Sequence, residues 1–181
     1  TMFSDRMALD TIRLVKENIY AVDKDPKDLK AREGLMLAAT LGGLAFSNAS
    51  ICLVHGMSRP LGSNFKVPHG LSNAMLLPTI TEFSIDHAKS RYADCSRAGN
   101  FASPTDEDNV ACEKLIKGLY KLNNDFDVPS MKTFGIDEKN FEDQLENMAT
   151  DAEISGAPGL NPRVPSVKEM INLYGEAWRA F

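Results

Sequence analysis

Apolar residues recur every three to four positions along most of this chain, the spacing that lines one face of a helix. Ala8, Ile12, Val15, Ile19 and Val22 mark such a face behind a candidate cap at Ser4, and Asp23-Lys24-Asp25-Pro26 ends it. A second, longer helix is predicted from about Asp28 toward Val54. Its first turns are amphipathic, and from Gly34 to Val54 it carries no charge, so it is expected at the buried centre of the domain. Gly56, Pro60 and Gly62 break the pattern and predict a loop or kinked helix leading to His69. Pro68 predicts a helix start, and Pro78 is expected to interrupt or close that helix. Further helices are predicted from a Ser84 cap through Ala88, Tyr92 and Cys95 to Gly99, and from Ser103-Pro104-Thr105 onto the stripe Ala111, Leu115, Leu119 and Leu122. An acidic helix should start at Asp137 and run through Met148. Ser166 and Glu169 form a capping box before the last apolar face, Met170, Leu173, Tyr174, Ala177 and Phe181.

No segment alternates at period two for long enough to make a strand, and no glycine-rich phosphate loop occurs. The fold class read from this pattern is all-α, a multi-helix bundle-like domain. Ile154 to Pro165, with Gly156, Pro158, Gly159, Pro162 and Pro165, is the longest irregular stretch and is expected to fold back onto the body.

Composition adds exclusions. At 181 residues, 43% hydrophobic and 25% charged, residues 1–181 read as a single helical domain. A net charge of −5 without a cluster of Lys and Arg argues against nucleic acid. Thr40, Gly42, Gly43, Ser47, Asn48 and Ser50 interrupt the uncharged segment and argue against a membrane span. Thr1 to Asp5 lacks the start of a secretory signal, and a helical sequence beginning directly behind Thr1 suggests a chain that starts inside a larger protein. Cys52, Cys95 and Cys112 are odd in number, which reads as free thiols in a reducing, cytoplasmic setting.

The candidate chemistry lies in His55 and His69, two of three histidines, fourteen residues apart. Each sits where an apolar segment meets a glycine turn, a setting for a neutral imidazole inside the protein with a ring nitrogen free for a metal. On spacing alone, buried histidines satisfied by backbone groups are the alternative. His87, beside Asp86, reads as a surface histidine, and Met36, Met57 and Met75 as core gap fillers.

The words around the two histidines are more specific: Gly43-Leu44-Ala45-Phe46-Ser47-Asn48-Ala49, His55-Gly56-Met57, Pro60-Leu61-Gly62, Pro68-His69-Gly70 and Asn73-Ala74-Met75-Leu76-Leu77-Pro78. With Arg91-Tyr92-Ala93-Asp94 and Asn161-Pro162-Arg163, this run resembles the C-terminal half of the iron-containing (group III) alcohol dehydrogenases. The resemblance implies the metal-binding C-terminal domain of a dehydroquinate-synthase-like fold, with Fe2+ (alternatively Zn2+) held by one Asp and three His. His55 and His69 match the last two ligands. The Asp-x-x-x-His helix that supplies the other two is missing, since Ile51, Phe65 and Phe83 stand four residues before His55, His69 and His87.

The N-terminal nucleotide-binding domain of the family, with its Gly-Gly-Gly-Ser loop, is absent from this chain, so NAD(P) enters only through that missing half. Members are about twice this length, which implies a C-terminal fragment or a separately encoded half. The implied function is the metal-binding, substrate-side half of an enzyme that interconverts alcohol and aldehyde by hydride transfer. On this reading the isolated chain is inactive, its partners are a small alcohol or aldehyde and the missing N-terminal half, and a homo-oligomer is compatible. The alternative is a non-catalytic, truncated helical module. Arg59 stands where many members have a third histidine near substrate and cofactor. It implies either contact with an acidic group of substrate or cofactor or a structural ion pair. Phe46 occupies a pocket-lining position of the family, with core packing as its plain alternative. A salt-bridged loop anchor is expected of Asn161-Pro162-Arg163.

Overall fold

The computed structural model describes residues 1–180, so the expected place of Phe181 on the last apolar face lies outside the described residues. Among them the chain is helical with no strand, as the pattern predicts. The helices are α1 (Met2–Lys24), α2 (Leu29–Ala49), α3 (Leu53–Phe65), α4 (His69–Ser84), α5 (Lys89–Ala98), α6 (Asp108–Asp125), α7 (Glu138–Ile154) and α8 (Val167–Arg179), with 3₁₀ turns at Ile85–His87 and Ala157–Leu160. They form two compact units: Thr1–Ser50 with Lys89–Leu115, and Ile51–Ala88 with the chain from Ile116 onward.

In the first unit α1 packs against α2. Thr1 rather than Ser4 is the N-cap, with Ser4 at the third helical position closing the capping box. The charge-free part of α2, from Gly34 onward, is not a central buried element. Its buried residues are Ala31, Ala38 and Ala45, a stripe of small side chains at seven-residue intervals. Beside that stripe the helices approach closely: a Cβ added at Gly34 would sit 2.5 Å from the Asn18 amide. Several large apolar residues of α2 point away, leaving Met36 69% and Phe46 56% exposed. Met36 is therefore no core filler. The helix also ends at Ala49 rather than continuing to Val54. Asn48 turns its Nδ2 back onto the Leu44 carbonyl, 2.8 Å, and Ser50 takes a positive φ of 69°, so local polar contacts and a left-handed residue replace the next turn.

Elsewhere in this unit Arg91 holds Asp5 at 2.6 Å, joining α5 to α1. Ser84, in the second unit, caps only a 3₁₀ turn, and α5 begins at Lys89 where the first unit resumes. Ser103 likewise starts a turn, donating its N–H to Asp106 Oδ2 at 2.7 Å, before α6 begins at Asp108.

The second unit holds the larger core: Leu53, Met57, Leu61, Met75, Leu76, Ile80, Phe141, Met148, Met170, Leu173 and Tyr174, with Trp178 stacked on Phe141 at 4.4 Å. Met57 and Met75 are the buried fillers expected of them. Two prolines lie inside helices here, and neither ends its helix. Pro78 offers no N–H to the Ala74 carbonyl four residues back, and Asn123 Nδ2 of α6 donates to that carbonyl instead at 2.8 Å. α4 therefore continues to Ser84. In α3, Pro60 is embedded where the Tyr174 hydroxyl donates to the Met57 carbonyl at 2.6 Å.

The irregular segment folds back within this unit. α7 runs on to Ile154, beyond the predicted Met148, and Pro158 then packs on Gly56, where an added Cβ would lie only 2.9 Å from Pro158 Cδ. Asn161 Nδ2 donates to Ser84 Oγ at 2.9 Å and to the Arg163 carbonyl at 2.8 Å. Arg163 pairs with Glu169 at 2.7 Å and lies over the Phe83 ring at 3.9 Å. That is the salt-bridged anchor expected of this motif.

Candidate metal centre

Both candidate ligands stand at helix starts of the second unit. His55 is the third residue of α3, and His69 is the first residue of α4, directly after Pro68 with φ −54° and ψ 140°. Between them α3 ends at Lys66, which is left-handed with φ 58°, so the chain reverses through Lys66-Val67-Pro68. The reversal brings the two imidazoles to 5.3 Å between centroids, tilted by 53°. Nitrogens of rings at that separation can turn toward one ion at the roughly 2.0–2.1 Å that zinc–imidazole bonds require.

The rings are not inside the protein. His55 is half-buried and His69 is exposed, because a first-turn residue has no preceding turn to cover it. Partial burial, the nearby His69 and the positive charge of Arg59 all push the basicity of His55 down. That keeps its ring neutral and its lone pair available near neutral pH.

Asn73, one turn after His69 on α4, escaped the sequence reading. Its Nδ2 stands 3.2 Å from His69 Nε2, while its Oδ1 is buried without a partner. The four-residue step from 69 to 73, which stacks side chains on one helix face, is the signal that could have found it. Asn123 and Tyr174, which satisfy carbonyls of α4 and α3, carry no comparable local signal.

Arg59 follows His55 by one turn, is exposed, and makes no hydrogen bond or ion pair among the described residues. The ion pair weighed for it is thus not formed. Phe46 sits on α2 in the first unit, exposed rather than in a core. His87 is exposed in its 3₁₀ turn, as expected.

A divalent iron or zinc ion takes neutral imidazoles readily, so the donor set fits as two ligands. Among the described residues no group of three or more His, Cys, Asp or Glu side chains could hold a metal. Catalytic sites use about three protein ligands. The half-buried Cys52 at the start of α3 has its thiol pushed up by burial, which disfavours the thiolate a metal needs.

Among the described residues the chain is thus all-helical and brings two imidazoles together at consecutive helix starts. The comparisons make this specific: residues 1–178 match the Fe-containing alcohol dehydrogenase family, C-terminal. The chain belongs to that family and carries its C-terminal domain. Among its relatives, the bifunctional aldehyde-alcohol dehydrogenase AdhE of Escherichia coli (strain K12) is 31% identical, the match covering 93% of this chain and 21% of the relative. The NADPH-dependent butanol dehydrogenase of Clostridium saccharobutylicum is 31% identical over 95% of this chain and 44% of its own length. The solved iron-containing alcohol dehydrogenase from Thermococcus thioreducens superposes with a TM-score of 0.87 at 33% identity, covering all of this chain and 45% of that one. The chain thus spans less than half the length of these relatives.

Proposed function

We propose that this chain is the metal-binding, substrate-side half of an iron-type, NAD(P)-dependent alcohol dehydrogenase. The observation that carries the reading is the convergence of His55 and His69, 5.3 Å apart between ring centroids, in a domain of that family. His55 and His69 hold the metal, Fe2+ or alternatively Zn2+. When bound, the metal supplies Lewis acidity toward an alcohol or aldehyde oxygen.

His55, kept neutral by burial and by its positive neighbour, presents a lone pair rather than a proton. Arg59, permanently charged and unpaired, meets an anionic group of substrate or cofactor one turn along α3. Phe46 contributes apolar surface toward substrate in the assembled protein. The remaining ligands and the nucleotide-binding fold come from an upstream half, which is the partner this reading requires. The setting is cytoplasmic, and a homo-oligomer is compatible with it.

A second reading, a non-catalytic helical module, draws support from the lack of a third ligand among the described residues. Metal binding separates the two. Co2+ or Zn2+ titrated into the chain should bind weakly and exchange readily, and His55→Ala or His69→Ala should weaken binding at least about tenfold. His87→Ala should leave it unchanged. The isolated chain should not oxidise alcohols with NAD(P). Joined to the upstream half of a full-length family member it should, with turnover lost in His69→Ala. Robust turnover by the isolated chain, or full activity of joined His69→Ala, refutes the proposal, and metal uptake indifferent to both histidines favours the helical module.

A further inference from the structure

The contact between Asn73 and His69 fixes more than a side-chain position. Asn73 Nδ2 bears only hydrogens, so at 3.2 Å it donates and His69 Nε2 accepts. A neutral imidazole has one protonated and one bare nitrogen, so the ring proton then resides on Nδ1. The lone pair on Nε2 is the only one the ring can offer a metal, and the amide covers it. Nothing else engages the end of this side chain, whose Oδ1 is buried and unpartnered. The helix beneath is held in place, because the carbonyl of the next residue, Ala74, accepts from Asn123 Nδ2 at 2.8 Å.

We propose that Asn73 is a positioning residue that acts as a latch on His69. It sets the Nδ1–H tautomer, marks Nε2 as the metal-binding nitrogen, and competes for that nitrogen until a metal displaces the amide. This rests on the reading of His69 as a ligand, and the latch also makes a claim that holds without any metal.

The test uses the 181-residue chain with Asn73→Ala and with the similarly shaped Asn73→Leu, their fold checked by far-ultraviolet circular dichroism. Long-range proton–nitrogen correlation spectra at pH 8 read the tautomer of His69 in the absence of metal. The parent should show a bare Nε2, and both variants should shift toward the Nε2–H form that an unconstrained histidine favours. Zn2+ titrated into the same proteins should bind about three- to tenfold more tightly in both variants, since the competing neutral hydrogen bond is worth no more than that. A residue that merely supports the fold would weaken zinc binding, so a loss of affinity in both variants overturns the latch. A parent His69 protonated on Nε2, or a tautomer indifferent to both substitutions, overturns it equally. If no zinc binds through His55 and His69 in any variant, the ligand assignment fails, and the spectra alone then decide the latch.

Discussion

Asn123→Ala tests how α4, the helix that starts at His69, survives a proline in its interior. Pro78 withdraws the donor that the Ala74 carbonyl would meet four residues on, and the buried Asn123 supplies the replacement at 2.8 Å. Removing the amide leaves a buried carbonyl without that donor, a loss of about 1–3 kcal/mol. In a Pro78→Ala background residue 78 regains its N–H and closes the ordinary helical bond. There the same Asn123→Ala change should cost under about 1 kcal/mol, the net worth of one replaceable hydrogen bond. The four proteins of this cycle can be compared by urea unfolding, followed through Trp178, the single tryptophan, which stacks on Phe141 in the same unit. With a slope of about 2 kcal/mol/M, Asn123→Ala should lower the midpoint by about 0.5–1.5 M with Pro78 present. Its effect in the Pro78→Ala background should be less than half of that. Equal shifts in both backgrounds would show that Asn123 does not stand in for the missing N–H.

Three further outcomes follow from single contacts. Gly56→Ala places a Cβ 2.9 Å from Pro158 Cδ and should cost about 1–3 kcal/mol through overpacking; an unchanged melting temperature would show that the Ala157–Leu160 turn yields freely. Burial pushes the Cys95 thiol up to about 11, so at pH 8 only about one thiol in a thousand is ionised. Alkylation of Cys95 should therefore be slow and quicken about tenfold per pH unit, and rapid modification at pH 7 would contradict the burial. Glu169 is held below the ordinary carboxylate range by the backbone N–H of Ser166, then its hydroxyl, then Arg163. A depressed carboxyl stabilises the fold above its unfolded value and ceases to do so as the pH falls through its folded one. The stability deficit of Glu169→Gln at pH 7 should accordingly shrink toward zero on acidification, and a deficit independent of pH would mean the capping box acts without the charge.

How far the sequence could be read tracks the distance over which each contact reaches. Asp137 and Ser166 cap α7 and α8 as expected because a cap and its partner lie three residues apart, inside the window that pattern reading uses. The hydrogen bond from Asn123 to Ala74 spans 49 residues, that from Asn161 to Ser84 spans 77, and that from Tyr174 to Met57 spans 117. None has a local signature, and α4 with its internal proline depends on the first of them. The misreading of α2 has another origin. Hydropathy counts apolar side chains without saying which face packs, and here the buried stripe is Ala31, Ala38 and Ala45 while Met36, Leu37, Leu44 and Phe46 face outward.

The histidine pair falls between these extremes. Fourteen residues exceed the reach of one helix face, so spacing alone favoured buried structural histidines, and it was the resemblance that favoured convergence. The structure supplies the physical reason. Lys66 adopts the left-handed conformation that stops α3, and Pro68, with its fixed φ and no N–H, starts α4 at the next residue. Only Val67, 4% exposed in the core, separates them. A reversal this short, pinned at one end by a left-handed residue and at the other by proline, leaves little freedom for where α4 begins. A substitution that loosens it, such as Pro68→Gly, should separate the rings without touching either imidazole. It should lower zinc affinity as His69→Ala does while leaving the Asn73 contact to His69, which lies wholly within α4, in place. Zinc affinity unchanged in Pro68→Gly would mean that the two helix starts are held together by the core beneath them and not by the turn.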